Sequence, residues 1–239
     1  MRPETLDKLL AATRHRRPAV VVTRLADGSQ ELVLDDASHA SPGSVGEVRE
    51  ALAECFSTGL SKTIATEAGE VFLQAFVPAP RLVIVGATQI AQYLAPLGAT
   101  AGFDVSIVDP RETFASANRF PGVRILNQWP EDAYKTIGLD PHSAVVTLAH
   151  QQNIDEEAIR HALAANCFYV GALGSRRTHG KRRESLLKAG VSEAAIASIH
   201  APIGINIGAL TPGEIAISIV AELVSIRRAH TAKLKQRAG

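Results

Sequence analysis

The sequence predicts an α/β protein: a C-terminal Rossmann-like, doubly wound parallel sheet preceded by a small N-terminal α+β domain. Three observations predict it. From residue 81 onward, short β-branched apolar runs alternate with helical periodicities, the pattern of a parallel sheet with crossover helices. The first run, Leu82-Val83-Ile84-Val85, ends at Gly86 and opens at once into a helical stretch. Upstream, turn signals at Asp27-Gly28 and Ala68-Gly69 join short strands into a separate, smaller unit.

The N-terminal unit is expected at residues 1–77. Residues 3–16 read as a helix with Leu6, Leu9, Leu10 and Thr13 on one face. Residues 19–25 and 31–34 form a hairpin about Asp27-Gly28. Residues 35–46, rich in Asp, Ser, Pro and Gly, read as a loop. Residues 45–57 look helical, with Gly59 ending them. Residues 61–66 and 70–76 complete about four strands. Pro78-Ala79-Pro80 is a stiff, extended link, so residues 78–81 are taken as a connector and 82–230 as the second domain.

In the second domain Ile90, Tyr93, Leu94, Leu97 and Ala101 recur at helical spacing, and Gly102 stands where a C-terminal cap belongs. Residues 105–108 form the next strand, stopped by Asp109-Pro110. Strands follow at 123–127, 144–149 and 168–173. Helices are expected at 130–137, 154–165, 177–188 and, for a turn or two, 192–199. Thr211-Pro212-Gly213-Glu214 reads as an N-cap, a proline at the first helical position and a capping-box acid. Ile215, Ile219, Leu223 and Ile226 then give the last helix its apolar stripe.

Composition narrows the function classes. Of 239 residues, 46% are hydrophobic and 21% charged, which is ordinary globular usage. A formal net charge of +1 offers no global attraction to nucleic acid. No apolar run approaches the roughly 20 residues of a membrane span. Residues 1–17 lack the apolar core of a secretion signal, and Cys55 and Cys167 form neither a disulfide framework nor a zinc pattern. A reducing, cytoplasmic setting is expected, with both thiols in or near the core.

Ligands of a parallel sheet bind beyond the C-terminal strand ends, near the point where strand order reverses. Four stretches fall there. Gly86 and Ala91 match the first and last small residues of the dinucleotide fingerprint, but Thr88 fills the middle glycine position and crowds a pyrophosphate; its hydroxyl can instead hold a phosphate. Asp109 lies roughly 20 residues on, where a ribose-binding acid falls. His150 ends the fourth strand and Asp155 opens the next helix; they suit proton transfer or anion binding, or simply capping. Gly171-Ala172-Leu173-Gly174-Ser175-Arg176-Arg177 places flexible backbone, a hydroxyl and two guanidinium forks at a helix start, suited to a phosphorylated ligand. The basic residues beyond His179 read as a solvated face. Pro202, Gly204 and Asn206 lie in a loop that alternates apolar residues with glycines, either lining a ligand or packing as a connection. Glu214 needs no role beyond its cap. No catalytic residue and no metal ligand set stands out.

These stretches together resemble the XdhC/CoxI family of xanthine dehydrogenase accessory factors. The likeness rests on Val77-Pro78-Ala79-Pro80-Arg81-Leu82-Val83-Ile84-Val85-Gly86, on Val108-Asp109-Pro110-Arg111 with Arg119-Phe120-Pro121, on Tyr169 to His179, on Ile199-His200-Ala201-Pro202-Ile203-Gly204, and on Thr211 to Ala216. It covers the C-terminal two thirds. The N-terminal part is shorter than in many members and lacks their Gly-Gly-Cys segment. The resemblance implies a protein that transiently binds the molybdenum cofactor (molybdopterin). It would help a cysteine desulfurase exchange an oxo for a sulfido ligand and deliver the product to a xanthine dehydrogenase-like molybdoenzyme, rather than act as a turnover enzyme. Separately, a small domain beside a Rossmann domain suits packing across a two-fold axis, so a homodimer is expected by analogy of fold. Gly86, Thr88, Gln89 and Asp109 would hold one end of the cargo, Gly174, Ser175, Arg176 and Arg177 a phosphate, and His150, Asp155, Pro202, Gly204 and Asn206 the rest. Gln89 stands where the family usually has His, Gln151 where an Asp usually follows His150, and Asn206 where Asp is usual. The last two changes remove carboxylates and favour an anion. Two other readings remain: an oxidoreductase using NAD(P), and a scaffold that binds only protein partners.

Overall fold

The computed structural model describes residues 2–35 and 46–238, so most of the loop expected at 35–46 lies outside the described residues. The chain divides into two compact units, Met1–Pro78 with Arg228–Gly239, and Ala79–Arg227.

The first unit contains α1 (Pro3–Arg14), β1 (Ala19–Arg24), β2 (Gln30–Leu34), α2 (Gly46–Thr58), β3 (Lys62–Thr66) and β4 (Gly69–Phe76). Its four strands pair antiparallel in the order β2-β1-β4-β3. Side chains alternate across a pleated strand, so β1 serves both faces. Val20 packs with Leu52, Cys55 and Leu73 beneath α2, while Ala19 and Val21 pack with Leu9 and Ala12 of α1. The expected face of α1 is corrected accordingly. Leu6 and Leu10 remain exposed, and Thr13 hydrogen-bonds the Leu9 carbonyl instead of packing. Leu9 and Ala12, three positions apart, are the pair that reaches the sheet.

The second unit contains β5 (Arg81–Val85), α3 (Gln89–Thr100), β6 (Asp104–Val108), β7 (Arg124–Leu126), α4 (Pro130–Ile137), β8 (Ser143–Thr147), α5 (Gln152–Ala164), β9 (Tyr169–Ala172), α6 (Arg176–Lys188), α7 (Glu193–Ala197) and the part of α8 (Pro212–Ala238) up to Arg227. Five parallel strands lie in the order β7-β6-β5-β8-β9. The chain runs outward from β5 through β6 and β7, then crosses to β8 and β9, so the switch point lies between β5 and β8. Leu82 and Ile84 face one core with Ala91 and Leu94 of α3 and Ile219 and Leu223 of α8. Val83 and Val85 face the other with α4, α5, Leu186 of α6 and Ile196 of α7. Each fully buried aliphatic side chain contributes about 1.5–3 kcal/mol, and burial on both faces explains why these strands read as unbroken apolar runs.

Strands are shorter than the apolar runs suggest. The ladder of β8 ends at Thr147, yet Leu148 and Ala149 stay buried because Leu148 donates its amide to Val85 and its carbonyl end lies under Gly86. The capping box stands as read: Glu214 accepts from Leu210 and Thr211, and its own amide bonds the Thr211 hydroxyl.

Candidate functional site

The C-terminal edge of the parallel sheet is assembled from four turns. At the first, Gly86 takes φ +104, and a Cβ there would stand 2.5 Å from the Ala149 amide nitrogen. Only glycine lets the β5 turn rest on the end of β8. Thr88 is the N-cap of α3, extended at φ −82, with its hydroxyl accepting the Ala91 amide at 3.4 Å. The conformation needs no glycine there, which explains the departure from the fingerprint. Gln89 begins the helix and is exposed.

Asp109 does not await a ribose. It is completely buried, and its Oδ2 accepts the Ala87 amide at 2.8 Å. Arg111 grips both oxygens, Nε on Oδ1 and Nη2 on Oδ2, each at 2.8 Å, and adds its own amide. Burial pushes the Asp109 carboxyl up, but the Arg111 side chain and the two amides outweigh it and hold the group below its ordinary value. A hydrogen bond to a sugar hydroxyl is worth about 0.5–1.5 kcal/mol net. Breaking a buried charge pair costs about 3–5 kcal/mol, so Asp109 stays with Arg111. Arg119 braces the same turn, donating to the Ala87 and Phe114 carbonyls.

The second turn carries His150, exposed and left-handed at φ +57. Non-glycine residues occupy that region rarely, and it clusters at functional sites. Asp155, in the first turns of α5, is buried and accepts the Ala149 amide at 3.2 Å. Burial pushes its carboxyl up to about 6, against the pull of Arg182, the Ala149 amide and His150. Its charge also reaches Arg111. Asp155 therefore bonds the backbone ahead of the helix rather than capping α5, whose N-cap Gln151 makes no side-chain bond.

At the third turn Gly174 has φ +141 and lies against Thr178. Ser175 caps α6 through the Thr178 amide. Arg176 and Arg177 are exposed at the start of the helix and have no ion pair among the described residues. The expectation of a solvated basic face beyond His179 is corrected at Arg182. That side chain is buried, only 6% exposed, because it shares the inner face of α6 with Leu186 one turn on. Its Nη2 donates to the Leu173 carbonyl at 3.2 Å, while Nη1 is buried without a partner. Nδ1 of His179 is buried without a partner too, and burial, then Arg182 and Arg183, push that ring down. Buried polar atoms normally find partners; the Arg182 donor and the His179 ring nitrogen are two on α6 that have none. Spacing alone hid Arg182 among basic neighbours; its place four residues before Leu186 was the available signal.

The fourth segment begins at His200, which joins the edge of β9 by one parallel bridge to Gly171. The Ala201-Pro202 bond is cis. Gly204, at φ +89, lies so close to α8 that a Cβ would stand 2.3 Å from the Ser218 hydroxyl. Asn206 is exposed and bonds the Gly208 amide within its own turn.

Contacts thus link Gly86 to Ala149, Ala149 to Asp155, and Asp109 to Ala87, and electrostatics couples Asp155 to Arg182. Thr88 joins this group through its amide, which donates to the Gly86 carbonyl at 2.9 Å, whereas Gln89, Arg176, Arg177, Pro202 and Asn206 are exposed on the adjoining turns. Sequence reasoning missed Arg111, Arg119 and Arg182 as site residues. Burial raises both thiols, Cys55 above its ordinary value and Cys167 to about 12, so neither stands as a ready thiolate. Elsewhere, ligand atoms of Glu131, Glu157 and His161 lie within 4.8 Å of one another. Glu157 accepts the Glu131 amide and Lys135 pairs with Glu131, which accounts for that cluster by helix capping and surface pairing. Among the described residues no helix is long and apolar enough to cross a membrane.

The family model described as the XdhC Rossmann domain matches residues 82–223. A Bacillus subtilis (strain 168) protein described as a probable subunit of xanthine dehydrogenase is 32% identical over 159 residues, 66% of this chain and 46% of the relative. The Escherichia coli (strain K12) molybdenum cofactor insertion chaperone PaoD is 34% identical over 152 residues, 64% of this chain and 42% of the relative. The chain spans less than half the length of these curated relatives. A solved Bacillus halodurans structure, described as a xanthine dehydrogenase, superposes with a TM-score of 0.71 at 23% identity, covering 96% of this chain and 68% of that one. That likeness shows a shared fold.

Proposed function

The chain belongs to the XdhC family through its Rossmann domain, and on that premise we propose that it handles the molybdenum cofactor as cargo. The cofactor binds at the C-terminal edge of the parallel sheet, receives its sulfido ligand with sulfur from a cysteine desulfurase, and passes to a xanthine dehydrogenase-like molybdoenzyme. A second copy of the chain completes the working unit. The names of the relatives, one for a part of xanthine dehydrogenase and one for a cofactor insertion chaperone, support this direction.

One observation carries the reading. The edge offers an excess of guanidinium donors and holds its carboxylates away from a guest. Asp109 is clamped by Arg111, Asp155 is buried, Arg182 has a donor without a partner, and Arg176 and Arg177 are exposed beside Gly174. A phosphorylated pterin supplies matching acceptors: phosphate oxygens for Arg176 and Arg177 at a helix N-terminus. The NAD(P) reading loses its motive, since the residue in the ribose position is already occupied.

The test is equilibrium binding of molybdenum cofactor, released from a purified molybdoenzyme, to the wild type and to an Arg176→Ala/Arg177→Ala double variant. Saturable binding that the double variant loses supports the reading. Retention of NAD(H) in place of the cofactor overturns it.

A further inference from the structure

The last helix carries an acid that its packing does not require. Glu222 lies on α8 beside Leu223 and Ile219, which are fully buried in the core. Its carboxylate gathers donors from three separate segments. Tyr169 on β9 donates its hydroxyl to Oε2 at 2.5 Å, the Gly204 amide donates to the same oxygen at 2.8 Å, and His200 Nδ1 lies 3.2 Å from Oε1. The His200 and Tyr169 rings stack with centroids 4.6 Å apart and 20° between planes. Burial raises the Glu222 carboxyl, but His200, Tyr169 and the Gly204 amide outweigh it and keep the group below its ordinary value.

The ionised carboxylate has only acceptors, so a neutral His200 must carry its proton on Nδ1. Nε2 is then left as an acceptor, the orientation a carboxylate imposes on working histidines elsewhere. The same carboxylate reaches across to Gly204, whose left-handed backbone lies directly against Ser218. The segment from His200 to Gly204 is therefore tied at both ends, by its backbone to β9 and by Glu222 to α8.

We propose that Glu222 is the positioning residue of the 201–209 loop: through Gly204 it fixes where Pro202 and Asn206 stand, and it sets the tautomer of His200 at the loop's start. The inference rests on the reading that this loop borders the cargo site. Glu222 itself touches no cargo; it acts through the loop.

Amide hydrogen exchange on the full chain, compared among wild type, Glu222→Met and Glu222→Gln, tests it. Methionine keeps the length and removes every acceptor. Glutamine keeps an oxygen for Tyr169 and Gly204 but turns an NH₂ toward His200, which must then accept through Nδ1. In E222M the Gly204 and Ile205 amides exchange about tenfold faster, the effect of losing roughly one hydrogen bond, while β5 amides are unchanged. E222Q restores the slow exchange and interchanges the two ring ¹⁵N shifts of His200, which a packing role alone does not move. Cofactor affinity falls about tenfold in E222M and recovers in E222Q. Should E222M fail to fold, Glu222→Asp, which withdraws the carboxylate from Gly204 by one methylene, carries the same comparison. Wild-type exchange at Gly204 and Ile205 in the methionine or aspartate variant overturns the proposal, as does loosened exchange with unchanged cofactor affinity. If the wild type binds no cofactor, the cargo reading fails, and the exchange rates still decide the role of Glu222.

Discussion

Asp109 and Arg111 form a closed pair: two residues apart across Pro110, they meet through both carboxylate oxygens at 2.8 Å while Asp109 is wholly buried. The pair also holds the Ala87 amide, so it shapes the first turn. Asp109→Ala leaves a guanidinium and two amides without partners and should cost about 3–5 kcal/mol in denaturant unfolding. Asp109→Asn keeps one acceptor and should cost less. The folded carboxyl lies below its unfolded value, so its contribution is complete above the unfolded pKa and is lost as pH falls through the folded one. Stability curves measured down to acid pH check the direction.

Asp155 has the opposite sign. Its folded pKa is raised to about 6 from 3.8, so between these values the folded state holds the proton that the unfolded state releases. Stability falls as pH rises through that window and is flat above it, an effect on the order of 3 kcal/mol. Comparing unfolding of wild type and Asp155→Asn from pH 4 to 7 isolates it; parallel curves contradict the assignment.

Thr88→Gly restores the glycine pattern of a dinucleotide turn. Because Thr88 already has an extended backbone and serves as a cap, the change should cost only a few tenths of a kcal/mol, whereas Thr88→Ala should cost about 1 kcal/mol. Neither should create NADH binding in a fluorescence titration, since the Asp109–Arg111 pair persists.

Gly86→Ala tests the close approach directly. The new methyl group meets the Ala149 backbone at 2.5 Å in a left-handed conformation. A loss on the order of 3 kcal/mol or more is expected in thermal or chemical unfolding. Near-wild-type stability shows that the turn can move away from β8.

The parallel sheet was legible because burial on both faces leaves its mark as unbroken β-branched runs, as in Leu82 to Val85, and because Thr211 and Glu214 announce a helix start by chemistry alone. The site was legible only as far as local motifs reach. Gly86 and Ser175 owe their places to the turn and the cap beside them. Arg182 and Glu222 owe theirs to partners far along the chain, Leu173 and Asp155 for one, Tyr169, His200 and Gly204 for the other. Arg182 was lost among charged neighbours and Glu222 within an apolar helix. Asp109 misled for a different reason: its spacing matched a ribose ligand, while the side chain that claims it stands only two residues away. In α1, Leu6 and Leu10 fit the helical period, but the sheet beneath accepts only Leu9 and Ala12.

The central claim, that the guanidinium-rich sheet edge binds the molybdenum cofactor, is tested most directly by titrating released cofactor into the wild type and the Arg176→Ala/Arg177→Ala variant. Both arginines are exposed and unpaired among the described residues, so the variant should unfold like the wild type, within about 0.5 kcal/mol. Saturable binding to the wild type, weakened at least about tenfold in an equally stable variant, is the result the structure predicts. Equal affinity in the two proteins, or no binding to either, contradicts it.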